Sequence, residues 1–185
     1  GAVAPKNLQE FEALIRQRTQ ETLDGLPLGE TFNWVDRVSI DLTTKMLATL
    51  FDFPQEQRQL LTHWSDAATS DARITAGRGL SIDERRTIMG EMLQSFTQLW
   101  HDHKANDRES FDLIRMLQRD PKTQNMVDEP FSYLGNLMLL IVGGNDTTRN
   151  SMTGGVLHLH QNPSEMAKLK ANHGLIPSMV SEIIR

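Results

Sequence analysis

Leu134-Gly-Asn-Leu-Met-Leu-Leu-Ile-Val-Gly-Gly-Asn-Asp-Thr-Thr-Arg-Asn-Ser151 has a helical period and contradicts itself half-way. From Leu134 to Val142 it is apolar nearly all round, the pattern of a helix at the centre of a core. Gly143 and Gly144 then thin it, and each glycine in a helix interior costs about 1 kcal/mol relative to alanine. Asp146 follows, where burying an unpaired charge is more expensive still. Apolar spacing resumes at Met152, Val156 and Leu159. Thr147 stands four residues after Gly143, so its hydroxyl can reach the Gly143 carbonyl and compete with the helical bond. That competition predicts a local π-type opening and a groove with an acid and an alcohol at its lip. The alternative is an exposed half-helix following a buried one.

Working outward, almost every stretch repeats near 3.6 residues and none alternates with period 2. A first helix is expected over Leu8–Leu23, with Leu8, Phe11, Leu14 and Ile15 on one face, ended by Asp24-Gly-Leu-Pro27. A second runs from Trp34 to Leu50, with Trp34, Val38, Leu42, Met46 and Leu50 as its buried stripe. Pro54 stops it and opens a third, Gln55–Thr69, that buries Leu60, Leu61, Trp64 and Ala68. Ser70 to Leu80 reads as a mobile loop. Ser81-Ile-Asp-Glu84 is a capping box, and the helix behind it carries Ile88, Met92, Phe96, Leu99 and His103. A polar stretch, Lys104 to Glu109, leads to a short helix with Leu113, Ile114 and Leu117, ended by Asp120-Pro121. Pro130 opens the long helix, which reaches Gln161. Asn162-Pro-Ser-Glu165 caps another helix, Gly174 ends it, and Pro177 opens the last. The fold class is mostly α, with about eight helices and no strand.

Composition removes whole classes of function. With 19 basic and 24 acidic residues the net charge is −5, which disfavours general nucleic-acid binding. The absence of cysteine excludes disulfides, Cys-type zinc sites and thiolate chemistry within these residues. The longest apolar run, Leu137 to Val142, is far too short to span a membrane. Gly1-Ala-Val-Ala-Pro5 lacks the charged and apolar regions of a signal peptide, so a cytoplasmic location is expected; the oligomeric state expected, separately, is a monomer. His101 with His103 and His158 with His160 suggest metal ligands, but residues two apart on a helix point about 200° apart, so no metal site is expected.

Gly143-Gly-Asn-Asp-Thr-Thr148 resembles the oxygen-binding motif of the cytochrome P450 monooxygenases, and Glu182-Ile-Ile-Arg185 resembles their Glu-x-x-Arg motif. The two occur in family order at an ordinary separation. Trp34–Thr44, Leu50–Pro54 and Gly143–Asn150 further resemble the soluble bacterial alkane and fatty-acid terminal hydroxylases. The resemblance implies that residues 1–185 are a single partial domain, an internal segment of a larger haem-monooxygenase domain, with its β region elsewhere. It implies that Gly143 and Gly144 leave room for dioxygen above haem b. Thr147 then hydrogen-bonds the bound oxygen and Asp146 relays protons from solvent. Leu139 and Val142 line an apolar substrate site, and Glu182 with Arg185 form a structural ion pair. Electrons come from NAD(P)H through ferredoxin reductase and ferredoxin. The family's axial cysteine thiolate lies beyond the Glu-x-x-Arg helix, so the chain by itself is expected to be inactive.

A non-enzymatic helical ligand-sensing or interaction domain accounts equally for the helices, the acidity and the lack of cysteine. It leaves the glycine–acid–threonine break unexplained. The haem-enzyme reading predicts that the reading frame past Arg185 continues to a glycine-flanked cysteine in a phenylalanine-rich loop. Sequencing that flank checks it, and a frame without such a cysteine defeats the reading.

Overall fold

The computed structural model describes residues 5–70, 79–106 and 112–185, with side chains from residue 11 onward. Most of the expected loop at 70–80 and the end of the polar stretch at 104–109 lie outside the described residues. The helices are α1 (Pro5–Asp24), α2 (Asp41–Phe51), α3 (Gln59–Thr69), α4 (Ile82–Ala105), α5 (Leu113–Arg119), α6 (Pro130–Gln161), α7 (Pro163–Ala171) and α8 (Ile176–Ile184). A π-helical turn, Val35–Ile40, runs straight into α2. Among the described residues there is no strand, and no helix is long and apolar enough to cross a membrane.

Helix ends follow local chemistry. Ser81 and Glu84 form the expected capping box, each side chain reaching the other residue's backbone N–H. Asp112 caps α5 by accepting from the Arg115 N–H at 2.8 Å. Pro130 occupies the first turn of α6, where its missing donor costs nothing. At the end of α2 the stop comes before Pro54. Asp52 turns left-handed at φ 53°, Phe53 N–H donates to the Ala48 carbonyl and Asp52 N–H to that of Thr49. This is the Schellman closure with aspartate in the usual glycine position. Asn162 does not cap α7 as expected, because its side-chain amide instead donates to the His158 carbonyl. α7 ends at Ala171, before Gly174.

The buried stripe of α2 is displaced from the expected one. Val38 is buried, but Leu42, Met46 and Leu50 are only half-buried, and Thr43, Leu47 and Phe51 take the core positions. Val38 and Ser39 are both buried, and from Ser39 the row runs every fourth residue through Thr43, Leu47 and Phe51, one residue on from the expected stripe. In α3, Leu61 is buried while Leu60 is 36% exposed.

The core gathers α2, α3, α4 and α6 around Phe51, Phe53, Trp64, Phe96, Trp100 and Tyr133. Phe51 meets Phe96 edge-on with ring centres 5.2 Å apart, and Trp100 meets Tyr133 likewise at 5.4 Å. The buried Tyr133 hydroxyl donates to the Phe96 carbonyl at 3.1 Å, and burial holds its phenol well above the usual range. His103 is buried between two carboxylates, with Nε2 3.2 Å from Asp52 and Nδ1 3.5 Å from Asp112. Ligand atoms of the three lie within 4.8 Å of one another. Arg115 sits against Asp112 at 3.4 Å, and its guanidinium donates to the His103 and Asn106 carbonyls that end α4. This cluster ties α2, α4 and α5 together.

Asp41 joins α1 to α2 and the turn after it, accepting from Lys45, Arg58 and Thr22. Burial alone would raise its pKa, but those hydrogen bonds together outweigh it and hold the carboxyl below its ordinary value. A lowered folded pKa adds stability that is present above the unfolded pKa and disappears as pH falls through the folded one. Asp41→Asn is therefore expected to cost about 1 kcal/mol near neutrality, and the difference from the parent should vanish in acid. Urea unfolding at several pH values measures this.

Candidate active site

α6 presents two opposed stripes. Tyr133, Leu137, Ile141 and Asn145 recur every fourth residue and are each at most 1% exposed. Leu139, Gly143 and Thr147 recur at the same interval on the other side and are exposed, Leu139 to 73%. Leu140 beside them is 38% exposed. The expectation that this half of the helix is surrounded by core is thus corrected: it packs along one stripe. Residues two apart on a helix face nearly opposite ways, which is why 141 and 143 part company.

The two glycines have different surroundings. A Cβ on Gly143 would meet nothing within 4 Å, whereas one on Gly144 would come within 3.0 Å of Leu47 Cδ2 on α2. Gly143 keeps a face open; Gly144 lets α2 approach. Thr147 does donate to the Gly143 carbonyl, and Ser151 repeats the pattern onto Thr147 at 2.8 Å. The predicted π-type opening does not follow, because α6 runs as α-helix from Pro130 to Gln161. Such back-bonds fit an α-helix without breaking it. The π turn lies instead across the interface, at Val35–Ile40.

Asp146 is neither unpaired nor fully buried. Its side chain is 18% exposed and pairs with Arg149 at 3.0 Å. Ser65 on α3 donates to it at 3.0 Å. Arg149 also reaches Asp66 on α3 at 3.1 Å. Asn145, fully buried, accepts from Thr43 at 2.9 Å, and Ser39 meets Thr153 at 2.9 Å. Asn145, Ser65, Arg149, Thr43 and Ser39 were not singled out from the sequence. Only Asn145 left a signal, as a polar residue continuing the stripe of Tyr133, Leu137 and Ile141.

The remaining expected residues separate. Leu139 lies on the open stripe, while half-buried Val142 packs against the core. Glu182 and Arg185 pair at 2.8 Å but are 66% and 79% exposed. Below Thr147 and Thr148, an apolar groove of about 490 Å³ runs between α6, α1, α2 and α8, walled by Trp34, Leu42, Met152, Val156, Met179 and Ile183. Gly155 admits α8 there, since a Cβ would meet Ile183 Cδ1 at 2.9 Å.

No family model matches the chain. Among solved structures, it superposes on cytochrome P450-153 from Novosphingobium aromaticivorans with a TM-score of 0.85 and 45% identity, covering 99% of this chain and 42% of that one. The fold is that of the cytochrome P450s. CYP153D17 from a Sphingomonas strain superposes with a TM-score of 0.77 at 38% identity, covering 99% of this chain and 44% of that one. Linalool 8-monooxygenase of Pseudomonas putida is 26% identical over 184 residues, 100% of this chain and 44% of that protein. The chain therefore spans less than half the length of these P450 relatives, and it corresponds to their helical portion.

A P450 fold implies haem. The open stripe fits one face of that flat apolar group: Leu139 and Leu140 offer apolar contact, and Gly143 leaves the backbone uncovered. None of the 185 residues is a cysteine, so none of them can supply a thiolate ligand to haem.

The glycine geometry makes a stability prediction. Gly143→Ala is expected to stabilise by up to about 1 kcal/mol, because helix propensity is gained with no clash. Gly144→Ala should gain less or lose, since Leu47 is already 4% exposed and must move. Chemical denaturation of both variants distinguishes them.

Proposed function

We propose that these residues form a single partial domain, the distal, oxygen-handling part of a haem-thiolate monooxygenase. The whole protein hydroxylates the terminal C–H bond of a medium-chain alkane or fatty acid. The observation that carries this reading is the uncovered Leu139–Gly143–Thr147 stripe with Asp146 adjoining it. The balanced reaction takes the C–H compound, dioxygen, two electrons and two protons to the alcohol and water. Haem, held by a cysteine outside this chain, supplies the activation of dioxygen. Ferredoxin and its reductase deliver the electrons from NAD(P)H.

The chain's own residues supply space, orientation and protons. Gly143 keeps the backbone bare where a small molecule must approach it. Leu139 and Leu140 present an apolar wall that excludes water and suits an aliphatic substrate. Val142 supports that wall from the core side. The Thr147 hydroxyl donates inward to the Gly143 carbonyl, so its lone pairs face outward as acceptors, and a rotation of the hydroxyl converts it to an outward donor. Asp146, one residue earlier and partly exposed, links the open face to solvent. Glu182 and Arg185 act structurally, holding later segments of the whole protein.

Apolar substrate preference follows from the wall, and the terminal-hydroxylase assignment rests on the resemblance at Trp34–Thr44 and Leu50–Pro54. In the whole haem-loaded protein, Thr147→Ala is expected to keep haem and substrate binding. It should divert at least about half of the reducing equivalents to hydrogen peroxide, because proton delivery loses its positioned hydroxyl. Peroxide and product are measured against NAD(P)H consumed, and unchanged coupling rejects the role given to Thr147.

A further inference from the structure

Ser65 and Asp146 lie 81 residues apart in sequence and meet between α3 and α6. Three donors converge on one oxygen of that carboxylate. Ser65 Oγ reaches Asp146 Oδ1 at 3.0 Å, Arg149 Nη2 at 3.0 Å and Asn145 Nδ2 at 3.3 Å. Among the described residues no hydrogen-bond donor reaches Oδ2. A carboxylate oxygen offers two lone pairs, so Oδ1 is saturated and a proton placed there would displace a donor. The same proton on Oδ2 displaces none.

Like Thr22, Ser39 and Thr43, Ser65 turns its hydroxyl to a side chain of another element. Thr44, Thr49, Thr69, Thr87, Thr147 and Ser151 all turn their hydroxyls back to the carbonyl three or four residues earlier, the ordinary habit within helices. Ser65, fully buried, reaches across to the carboxylate instead. Arg149 cannot by itself hold Asp146 in one pose, because the same Nη2 is shared with Asp66, which is 55% exposed. Of the three donors, Asn145 and Arg149 stand on α6 with Asp146, and Ser65 alone comes from a different helix, uncharged and unshared.

We propose that Ser65 is a positioning residue for proton relay: with Arg149 it pins Oδ1 of Asp146 and leaves Oδ2 as the oxygen that takes up and returns the proton. This rests on Asp146 being the relay acid. A buried serine that merely filled space between α3 and α6 would tolerate alanine without changing how Asp146 behaves.

The test uses the whole haem-loaded protein and four variants, Ser65→Ala, Ser65→Thr, Asp146→Asn and the double Ser65→Ala/Asp146→Asn. The substrate is whichever of octane and dodecanoic acid the parent hydroxylates. Without turnover, urea unfolding of the two single variants and the double variant forms a thermodynamic cycle, expected to show coupling of about fivefold in the unfolding constant. With turnover, Ser65→Ala should lower product per reducing equivalent about tenfold at unchanged substrate affinity, while Ser65→Thr restores it. The rate in D₂O should fall further for Ser65→Ala than for the parent. If Ser65→Ala does not fold, Ser65→Cys, of similar size and weaker donation, takes its place. Parent-like coupling in Ser65→Ala, or an uncoupled cycle, overturns this inference while Asp146→Asn still diverts electrons. Parent-like coupling in Asp146→Asn, or hydroxylation of neither substrate, instead overturns the proposed function.

Discussion

The burial of one stripe of α6, Tyr133–Leu137–Ile141–Asn145, is the constraint on which the rest depends. Its apolar members lock the helix to α2, α3 and α4 through a core of close-packed rings. Because a helix has two sides, fixing this stripe inward fixes Leu139, Gly143 and Thr147 outward. The site is in that sense a by-product of packing. Nothing has to hold the open stripe in place except the stripe behind it.

The polar members at the end of the stripe extend the lock and give it chemistry. Asn145 continues the buried row where an aliphatic residue would pack as well, and meets Thr43. That contact requires Thr43 to face α6, within the buried row Ser39–Thr43–Leu47–Phe51. Asp146, next to Asn145, is drawn into the same interface by Ser65 and Arg149, so its carboxylate is oriented although it remains partly exposed.

The same geometry accounts for the apolar surface the chain displays. Phe131 at 92% exposure, Leu139 at 73% and the groove beside α8 are uncovered here. The P450s that match over the whole chain are more than twice as long, which leaves ample chain to cover such faces. The exposed Glu182–Arg185 pair belongs to the same pattern, since an ion pair in water contributes little until something buries it.

Much of this was legible in the residues alone. Helix number, the capping box at Ser81, the entry of α6 at Pro130 and its exit at Gln161 are short-range matters, decided by caps, prolines and a 3.6-residue period. The glycine–acid–threonine run marked the open face for the same reason, as a local cost with no local benefit. What failed was register and partnership. The stripe of α2 lies one residue on from the expected one because packing chooses between adjacent faces, the predicted opening in α6 did not form because a threonine back-bond fits an intact helix, and Val142 is half-buried where Leu139 is exposed because only packing decides which side is covered. Ser65 and Asp66 carried no signal, since their contacts with Asp146 and Arg149 cross from α3 to α6, while the Asp146–Arg149 pair is a local i,i+3 spacing that was not singled out. By itself, then, the sequence determined the helices and where chemistry could sit, because those follow from neighbours three or four residues away. The tertiary structure alone decided which face opens and how Ser65 meets Asp146, because both depend on groups that only folding brings together, here 81 residues apart in sequence.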